Sequence, residues 1–143
     1  MSHLETTDAL FFARADATLD RAAATALAEA ALAGMDDGEL FLEYRESEAL
    51  ALEDGRIRSA AFDTALGFGL RAVCGEAVGY AHAGELSEAA LKRAAETVRG
   101  VKAGRGGRMD VAPRATNARL YSDANPVAAL DFAAKARLLA EID

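Results

Sequence analysis

Apolar and polar residues alternate through most of residues 39–83, and a period of two is typical of β-strands. An Asp54-Gly55 pair interrupts the alternation, which is a strong signal for a type I′ hairpin turn. Cys74, Gly75 and Glu76 form a second predicted turn. Short turns join antiparallel strands, because a parallel pair needs a long crossover. The pattern therefore predicts an antiparallel meander of about five strands: residues 39–46, the two halves of residues 49–62 on either side of the Asp-Gly pair, 66–74 and 77–83.

The alternation also predicts which face of this sheet is packed. Gly67, Gly69 and Arg71 fall on one face of their strand and the large apolar residues on the other. Glycine in a strand leaves room for a close approach by another backbone or a helix, and Gly79 is assigned to the same cleared face. The predicted packed side chains are Leu66, Phe68, Leu70, Val78 and Tyr80. The positions expected to face a peptide or a partner are Gly67, Gly69, Arg71 and Gly79.

Helices are predicted to flank the sheet at about residues 18–33, 88–99 and 127–143. An alanine stripe runs along the first, Ser87 is the expected N-cap of the second, and Gly34 and Gly100 follow these two helices as stop signals. Asn125 and Pro126 are start signals for the third. The weaker expectations are a short helix or turn at residues 8–15, a loop at residues 101–117 and a short strand at residues 118–123.

The expected fold class is α+β. The predicted organisation is an N-terminal extension (1–17), an α+β domain (18–121) and the start of a helix that continues into a missing C-terminal domain (122–143). This last helix has neither a Gly or Asn stop nor a basic last turn, which commonly mark a helix C-terminus. We therefore expect the chain to be a piece of a longer protein.

Composition limits the classes of function. The 143 residues are enough for one domain, and 52% of them are apolar. A net charge of −7 argues against binding to nucleic acid or to an anionic membrane, since both require a basic surface. Neither a signal peptide nor a transmembrane run of about 20 apolar residues is visible. A single cysteine, Cys74, cannot form an internal disulfide, and a cytoplasmic location is expected.

No catalytic or metal-binding arrangement is visible in the sequence. His3 and His82 are the two histidines, and they lack the helical spacing and the cysteine cluster that zinc sites use. No base is identifiable that would activate Cys74, so a small buried side chain is expected there. The strand glycines do not open a helix, and this excludes the glycine-rich turn that binds a dinucleotide.

Carboxylates and one basic loop are the remaining candidates. Paired carboxylates can act in acid–base chemistry, but on strands they usually form the solvated face. The carboxylates concerned are Glu43, Glu46, Glu48, Glu53 and Asp54. The segment GRGGR at 104–108 could hold an anion, although a short basic loop in an acidic protein is more commonly only solvated. From the residues alone we predict an α+β domain, and they do not assign an activity to it.

Residues 42–99 resemble the N-terminal domain of the TldD/PmbA family of metallopeptidases, once described as modulators of DNA gyrase. The resemblance covers about residues 18–143 and is closer to the TldD side of the family than to the PmbA (TldE) side. The motifs that carry it are LEDGRI (52–57) on the hairpin, DTALGFGLRAV (63–73) followed by GE and GYA, ELSEAAL (85–91) and LYSDANP (120–126).

The resemblance implies a peptidase that acts on unfolded or modified peptides as a heterodimer with a PmbA (TldE)-like subunit. It also implies a zinc ion, which in proteins of this family is held by an HExxxH helix and a cysteine in the C-terminal half of the polypeptide. None of these ligands can be transferred to this sequence, so this segment is expected to be non-catalytic and inactive alone. It would shape the substrate chamber and the subunit interface. The alternatives are a regulatory module acting on DNA gyrase or a toxin–antitoxin partner, and a plain interface scaffold.

Overall fold

A computed structural model describes residues 3–103 and 124–142, which divide between two compact units. The first unit contains the described residues 3–44 and 66–103, and the second contains residues 45–65 and 124–142. The elements are α1 (His3–Phe11), α2 (Arg21–Leu32), β1 (Asp37–Glu53), β2 (Arg56–Cys74), β3 (Ala77–Ala83), α3 (Glu88–Arg99) and α4 (Phe132–Ile142), with short 3₁₀ turns at Gly100–Ala103 and Val127–Ala129. These elements confirm the α+β class.

The described part of the sheet has three strands in the order β1-β2-β3, so the prediction of about five strands is wrong. The first two predicted strands are one continuous strand, β1, and the next two are one continuous strand, β2. The physical reason is that neither junction contains a turn. Residues 47–49 and 63–65 have no Gly or Pro, so nothing there interrupts the strand.

Two short turns join the three strands. Asp54 and Gly55 both have positive φ, at 50° and 67°, as the predicted type I′ turn requires. The second turn has two residues, Gly75 and Glu76, because Cys74 pairs directly with Ala77. Gly75 has a φ of 61°, which glycine adopts at no steric cost at the first position of such a turn. This turn fixes the register of β3 against β2.

The core of the first unit lies between the sheet and helices α2 and α3. Helix α3 packs against both α2 and β3. Alanines make up much of this core and allow the helix backbones to approach closely. The buried cluster is Leu19, Ala24, Ala31, Phe68, Leu70, Ala72, Leu86, Ala90, Leu91, Ala94, Ala95 and Val98.

The caps explain where the helices begin and end. Helix α2 begins later than predicted because the Asp20 carboxylate accepts a hydrogen bond from the amide of Ala23 at 2.7 Å. Helix α3 matches its prediction, and the Ser87 hydroxyl accepts from the amide of Ala90. Gly34 has the left-handed φ of 76° expected after a helix. Gly100 keeps a right-handed conformation and begins a 3₁₀ turn.

The third predicted helix begins later than expected. Asn125 accepts hydrogen bonds from the amides of Val127 and Ala128, but this cap starts only a 3₁₀ turn. Leu130 is extended and breaks the helix, and α4 starts after Asp131, whose carboxylate accepts from the amide of Ala134 at 2.7 Å. The predicted strand at residues 118–123 and most of the predicted loop at 101–117 lie outside the described residues.

None of the helices in residues 3–103 and 124–142 combines the length and the apolar content that crossing a bilayer requires.

Candidate binding surface

One face of the first unit's sheet packs on the core, and the opposite face carries the exposed side chains. We call this second face the open face. Odd-numbered residues of β1 and β2 and even-numbered residues of β3 lie on it, since side chains alternate along each strand. Its members in the first unit are Asp37, Glu39, Phe41, Glu43, Gly67, Gly69, Arg71, Val73, Val78, Tyr80 and His82.

Val78 and Tyr80 belong to the open face, so their assignment to the packed side is wrong. Each is 60% exposed, and the register places Tyr80 opposite Arg71 and Val78 opposite Val73. The error came from counting the second turn as three residues instead of two. Adding or removing one residue in a turn exchanges the two faces of the following strand, because side chains alternate with a period of two.

Tyr80 and His82 form an aromatic pair on the open face. Their rings stack with centroids 5.8 Å apart and an interplanar angle of 28°. The Tyr80 ring lies across Gly69, where an added Cβ atom would come 2.6 Å from the phenol oxygen. Phe41 of β1 is also 57% exposed. Exposed rings on a sheet present large, rigid apolar areas to a ligand.

Arg71 holds the acidic residues of the open face together. Its Nη2 donates to Asp37 Oδ2 and its Nε to Glu39 Oε1, each at 2.8 Å. The hydrogen bond from Arg71 lowers the pKa of the Asp37 carboxyl. The hydrogen bonds to Glu39 and Asp37 in turn raise the pKa of the Arg71 guanidinium. Arg71 therefore stays charged and is oriented towards β1, where it offsets one of the two negative charges of Asp37 and Glu39.

The glycines lie on different faces of the sheet. A Cβ atom on Gly67 would meet the carbonyl oxygen of Ala83 at 2.8 Å, beside β3. Gly79 lies on the packed face, where a Cβ atom would come 3.1 Å from both Cα and the carbonyl oxygen of Val98 in α3. The prediction that Gly79 shares a face with Gly67 and Gly69 is therefore wrong. Gly79 makes room for a helix of its own unit.

The other candidate residues are scattered. The Glu46 carboxylate accepts from Asn125, Glu48 pairs with Lys135, and Glu53 pairs with Arg58. Cys74 is buried, as expected, and Glu43 is exposed. The segment 104–108 lies outside the described residues. Asp54 lies in the hairpin turn. Glu46, Glu48 and Glu53 each contact a different partner, so these three do not form a paired acid–base site.

A metal centre does not fit the described residues. Within residues 3–103 and 124–142, no group of three His, Cys, Asp or Glu side chains comes close enough together to hold an ion. His82 stacks on Tyr80, and Cys74 is buried. The zinc that the family resemblance implies therefore has no set of ligands in the described part of the chain, and we derive no catalytic step from it.

Comparison with known proteins matches this chain to one family. The sequence model described as PmbA/TldA metallopeptidase domain 1 matches residues 38–111, about half of the chain. A metalloprotease TldD homolog from Haemophilus influenzae is 33% identical over 113 residues, which cover 76% of this chain and 23% of that protein. A second, from Buchnera aphidicola subsp. Acyrthosiphon pisum, is 26% identical over 115 residues, covering 80% and 24% respectively. This chain spans about a quarter of the length of these relatives.

The matched range begins at the second residue of β1 and extends beyond α3, so it includes the three strands and the open face except for Asp37. The hairpin, the two-residue turn and the capped helix are therefore features of a segment that the family shares. The chain belongs to the TldD/PmbA family of metallopeptidases and corresponds to the N-terminal domain of that family.

Proposed function

We propose that this chain is the N-terminal, non-catalytic domain of a TldD-like zinc-dependent peptidase that degrades or processes unfolded or modified peptides. The domain contributes to the wall of the substrate chamber and to the interface with a PmbA (TldE)-like subunit. The observation that carries the proposal is the open face, which presents exposed rings and aliphatic side chains within the family-matched segment.

Exposure on the open face supports contact with another molecule. Large apolar side chains grouped on one face of a soluble protein commonly mark a binding surface. The side chains of Val78 and Tyr80 are each 60% exposed, although they lie on a sheet whose other face is well packed. A peptide or a subunit that covers them would remove this apolar area from water, which favours binding.

The edge of the sheet supports sequence-tolerant capture of an extended peptide. In the described residues β3 pairs with β2 alone, so its second edge has no strand partner there. Ala77 pairs with Cys74 across the turn, and the backbone groups of β3 alternate between its two edges. The amide and carbonyl groups of Val78, Tyr80 and His82 therefore point outward. Backbone groups are common to all peptides, so strand addition suits a peptidase with unfolded substrates.

Binding of the isolated chain to two probes tests this function. The probes are a synthetic unstructured peptide and a purified PmbA-like subunit, each titrated into isotope-labelled chain while amide NMR shifts are followed. We expect at least one probe to shift the resonances of Val78, Tyr80 and His82. Val78→Glu is expected to weaken that binding, whereas Ala89→Glu adds the same charge at an exposed position on α3 and should leave it unchanged.

The outcomes separate the possible roles. Binding of the peptide alone supports substrate capture, and binding of the subunit alone supports the interface role. Binding of neither probe contradicts the proposal. Inhibition of gyrase supercoiling by the purified chain would favour the regulatory alternative instead. Cleavage of the peptide by this chain in the presence of zinc would contradict the assignment as a non-catalytic domain.

A further inference from the structure

The second unit has an apolar surface but no core of its own. None of its described residues, 45–65 and 124–142, is fully buried, whereas the first unit has a continuous buried cluster. A two-stranded hairpin with a single helix has little apolar area to bury, and such a unit is marginal by itself. The second unit therefore needs further apolar contacts to form a core.

Helix α4 exposes apolar side chains that could make this further contact. Leu138 is 50% exposed and Ile142 is 75% exposed, and they lie four residues apart on one side of the helix. Phe132 is 52% exposed at the start of α4. Beside Leu138 lies a groove of about 300 Å³, lined by Glu48, Leu50, Val127, Lys135, Leu138 and Leu139. An apolar cavity of about 150 Å³ already holds a benzene ring, so an inserted side chain fits this groove.

Polar contacts hold this surface in a fixed arrangement. The Lys135 ammonium pairs with Glu48 of β1 and donates to the carbonyl of Val127, and both charged side chains are about four-fifths buried. Asn125 donates to the Glu46 carboxylate at 2.7 Å. These contacts fasten α4 and the turn before it onto the hairpin. Leu138 and Ile142 therefore lie on a helix that is held in place against the hairpin.

The end of the matched first domain indicates which polypeptide covers the groove and the exposed side of α4. The model for the first domain of the family ends at residue 111, so α4 belongs to the sequence that follows that domain. The relatives are more than three times as long as this chain, since the 113 and 115 matched residues are 23% and 24% of their lengths. A segment that continues from α4 is tethered beside the groove, and a short tether raises its effective concentration there to the millimolar range. A separate molecule has no such advantage.

We propose that the α4 groove and the exposed side of α4 form the docking surface for the polypeptide that follows this domain in the full-length protein. This inference rests on the proposed function, in which the chain is the first part of a longer peptidase. The docked segment inserts apolar side chains beside Leu138 and Ile142 and completes the core of the second unit.

Hydrogen exchange measured by mass spectrometry tests the docking surface in the full-length protein and in the chain of residues 1–143. We expect amides of residues 45–65 and of α4 to exchange at least about ten-fold more slowly in the full-length protein than in the short chain. Leu138→Glu in the full-length protein should raise exchange to the level of the short chain, and the milder Leu138→Ala should act in the same direction. Ala140→Glu places the same charge on the opposite, exposed side of α4 and should have no effect. Exchange in α3 reports whether each variant is folded.

Three results would overturn this inference. Equal exchange in the two forms would show that no following segment covers the surface. Protection in the short chain that rises with its concentration would identify a second copy as the occupant. Protection of the full-length protein that appears only with an added subunit would identify a separate partner. The readout does not depend on peptidase activity or peptide binding, so its failure is distinguishable from failure of the proposed function.

Discussion

The Tyr80 ring lies across Gly69, with its hydroxyl oxygen 2.6 Å from the place where a Cβ atom at position 69 would stand. This relationship joins β2 to β3 on the open face and covers a position with no side chain. Gly69 and Gly79 differ in this respect, because the group over Gly69 is the end of a side chain, whereas Gly79 faces the backbone of Val98 in α3 as well as the Val101 side chain.

Alanine substitution at these two glycines is expected to have unequal effects on stability. Gly79→Ala places a methyl group 3.0 Å from Val101 Cγ1 and 3.1 Å from Val98 Cα and its carbonyl oxygen, so α3 must shift slightly, and overpacking of this kind costs about 1–3 kcal/mol. Gly69→Ala requires only that the Tyr80 ring move, and we expect a change within about 1 kcal/mol. Urea denaturation of both variants measures the difference. A larger cost at Gly69 than at Gly79 would contradict the assignment of the two faces.

The Asp37 carboxyl is expected to make stability depend on pH through Arg71. Its pKa is lower in the folded state than in the unfolded chain, where a typical value is about 3.9. The resulting stabilisation is fully present above the unfolded-state pKa and is lost as the pH falls through the folded-state pKa. The free energy of unfolding should therefore differ between wild type and Arg71→Met near neutral pH, and the difference should disappear in acid.

NMR titration of the carboxyl groups checks the cause of this effect. Arg71→Met should return the pKa of Asp37 towards its usual value. Arg14→Met is the matched control, because Arg14 lowers the pKa of Asp16 by a separate hydrogen bond. An Asp37 pKa that is the same in wild type and Arg71→Met would show that the ion pair does not determine it.

The N-cap of α3 is expected to contribute measurably to the stability of the first unit. Ser87→Ala removes the hydroxyl that accepts from the amide of Ala90 and should cost about 1 kcal/mol. Ser59→Ala, at an exposed position of β2, removes the same group and should change stability by less than about 0.5 kcal/mol. Thermal and urea denaturation provide the comparison, and equal effects would mean that the cap is not formed in solution.

Lys135 is expected to fasten α4 to the hairpin. Lys135→Met leaves the largely buried Glu48 carboxylate without its cation, which is unfavourable, and amide exchange in α4 should become faster. Adding Glu48→Leu removes the uncompensated charge and should restore part of the protection. Arg137→Met changes an exposed cation of the same helix and serves as the control. Unchanged exchange in Lys135→Met would show that the pair does not hold the helix.

Local signals in the sequence were sufficient for several elements of the fold. The Asp54-Gly55 turn and the cap at Ser87 depend on residue types that few other conformations favour, and both are found where they were predicted. The helix start predicted after Asn125 is wrong, because Asn125 caps only a 3₁₀ turn, Leu130 is extended, and Asp131 supplies the cap of α4. A cap residue therefore predicts the start of a helical turn and not whether that turn continues as an α-helix.

The faces of β3 were harder to predict because they depend on a single residue in a turn. A two-residue turn at Gly75 and Glu76 places Tyr80 opposite Arg71, whereas a three-residue turn places it opposite Leu70 in the core. The sequence did contain a usable signal, since glycine at the first position of a two-residue turn is typical of hairpins. The five-strand prediction failed for a different reason, because two junctions that contain neither Gly nor Pro were treated as breaks.

The most direct test of the central claim is a titration of this chain with the unstructured peptide and with a PmbA-like subunit, with and without zinc. We expect binding to the open face, weakened by Val78→Glu and unaffected by Ala89→Glu, and no cleavage of the peptide under either condition. Zinc-dependent cleavage by this chain, or the absence of binding to both probes, would contradict its role as a non-catalytic binding domain.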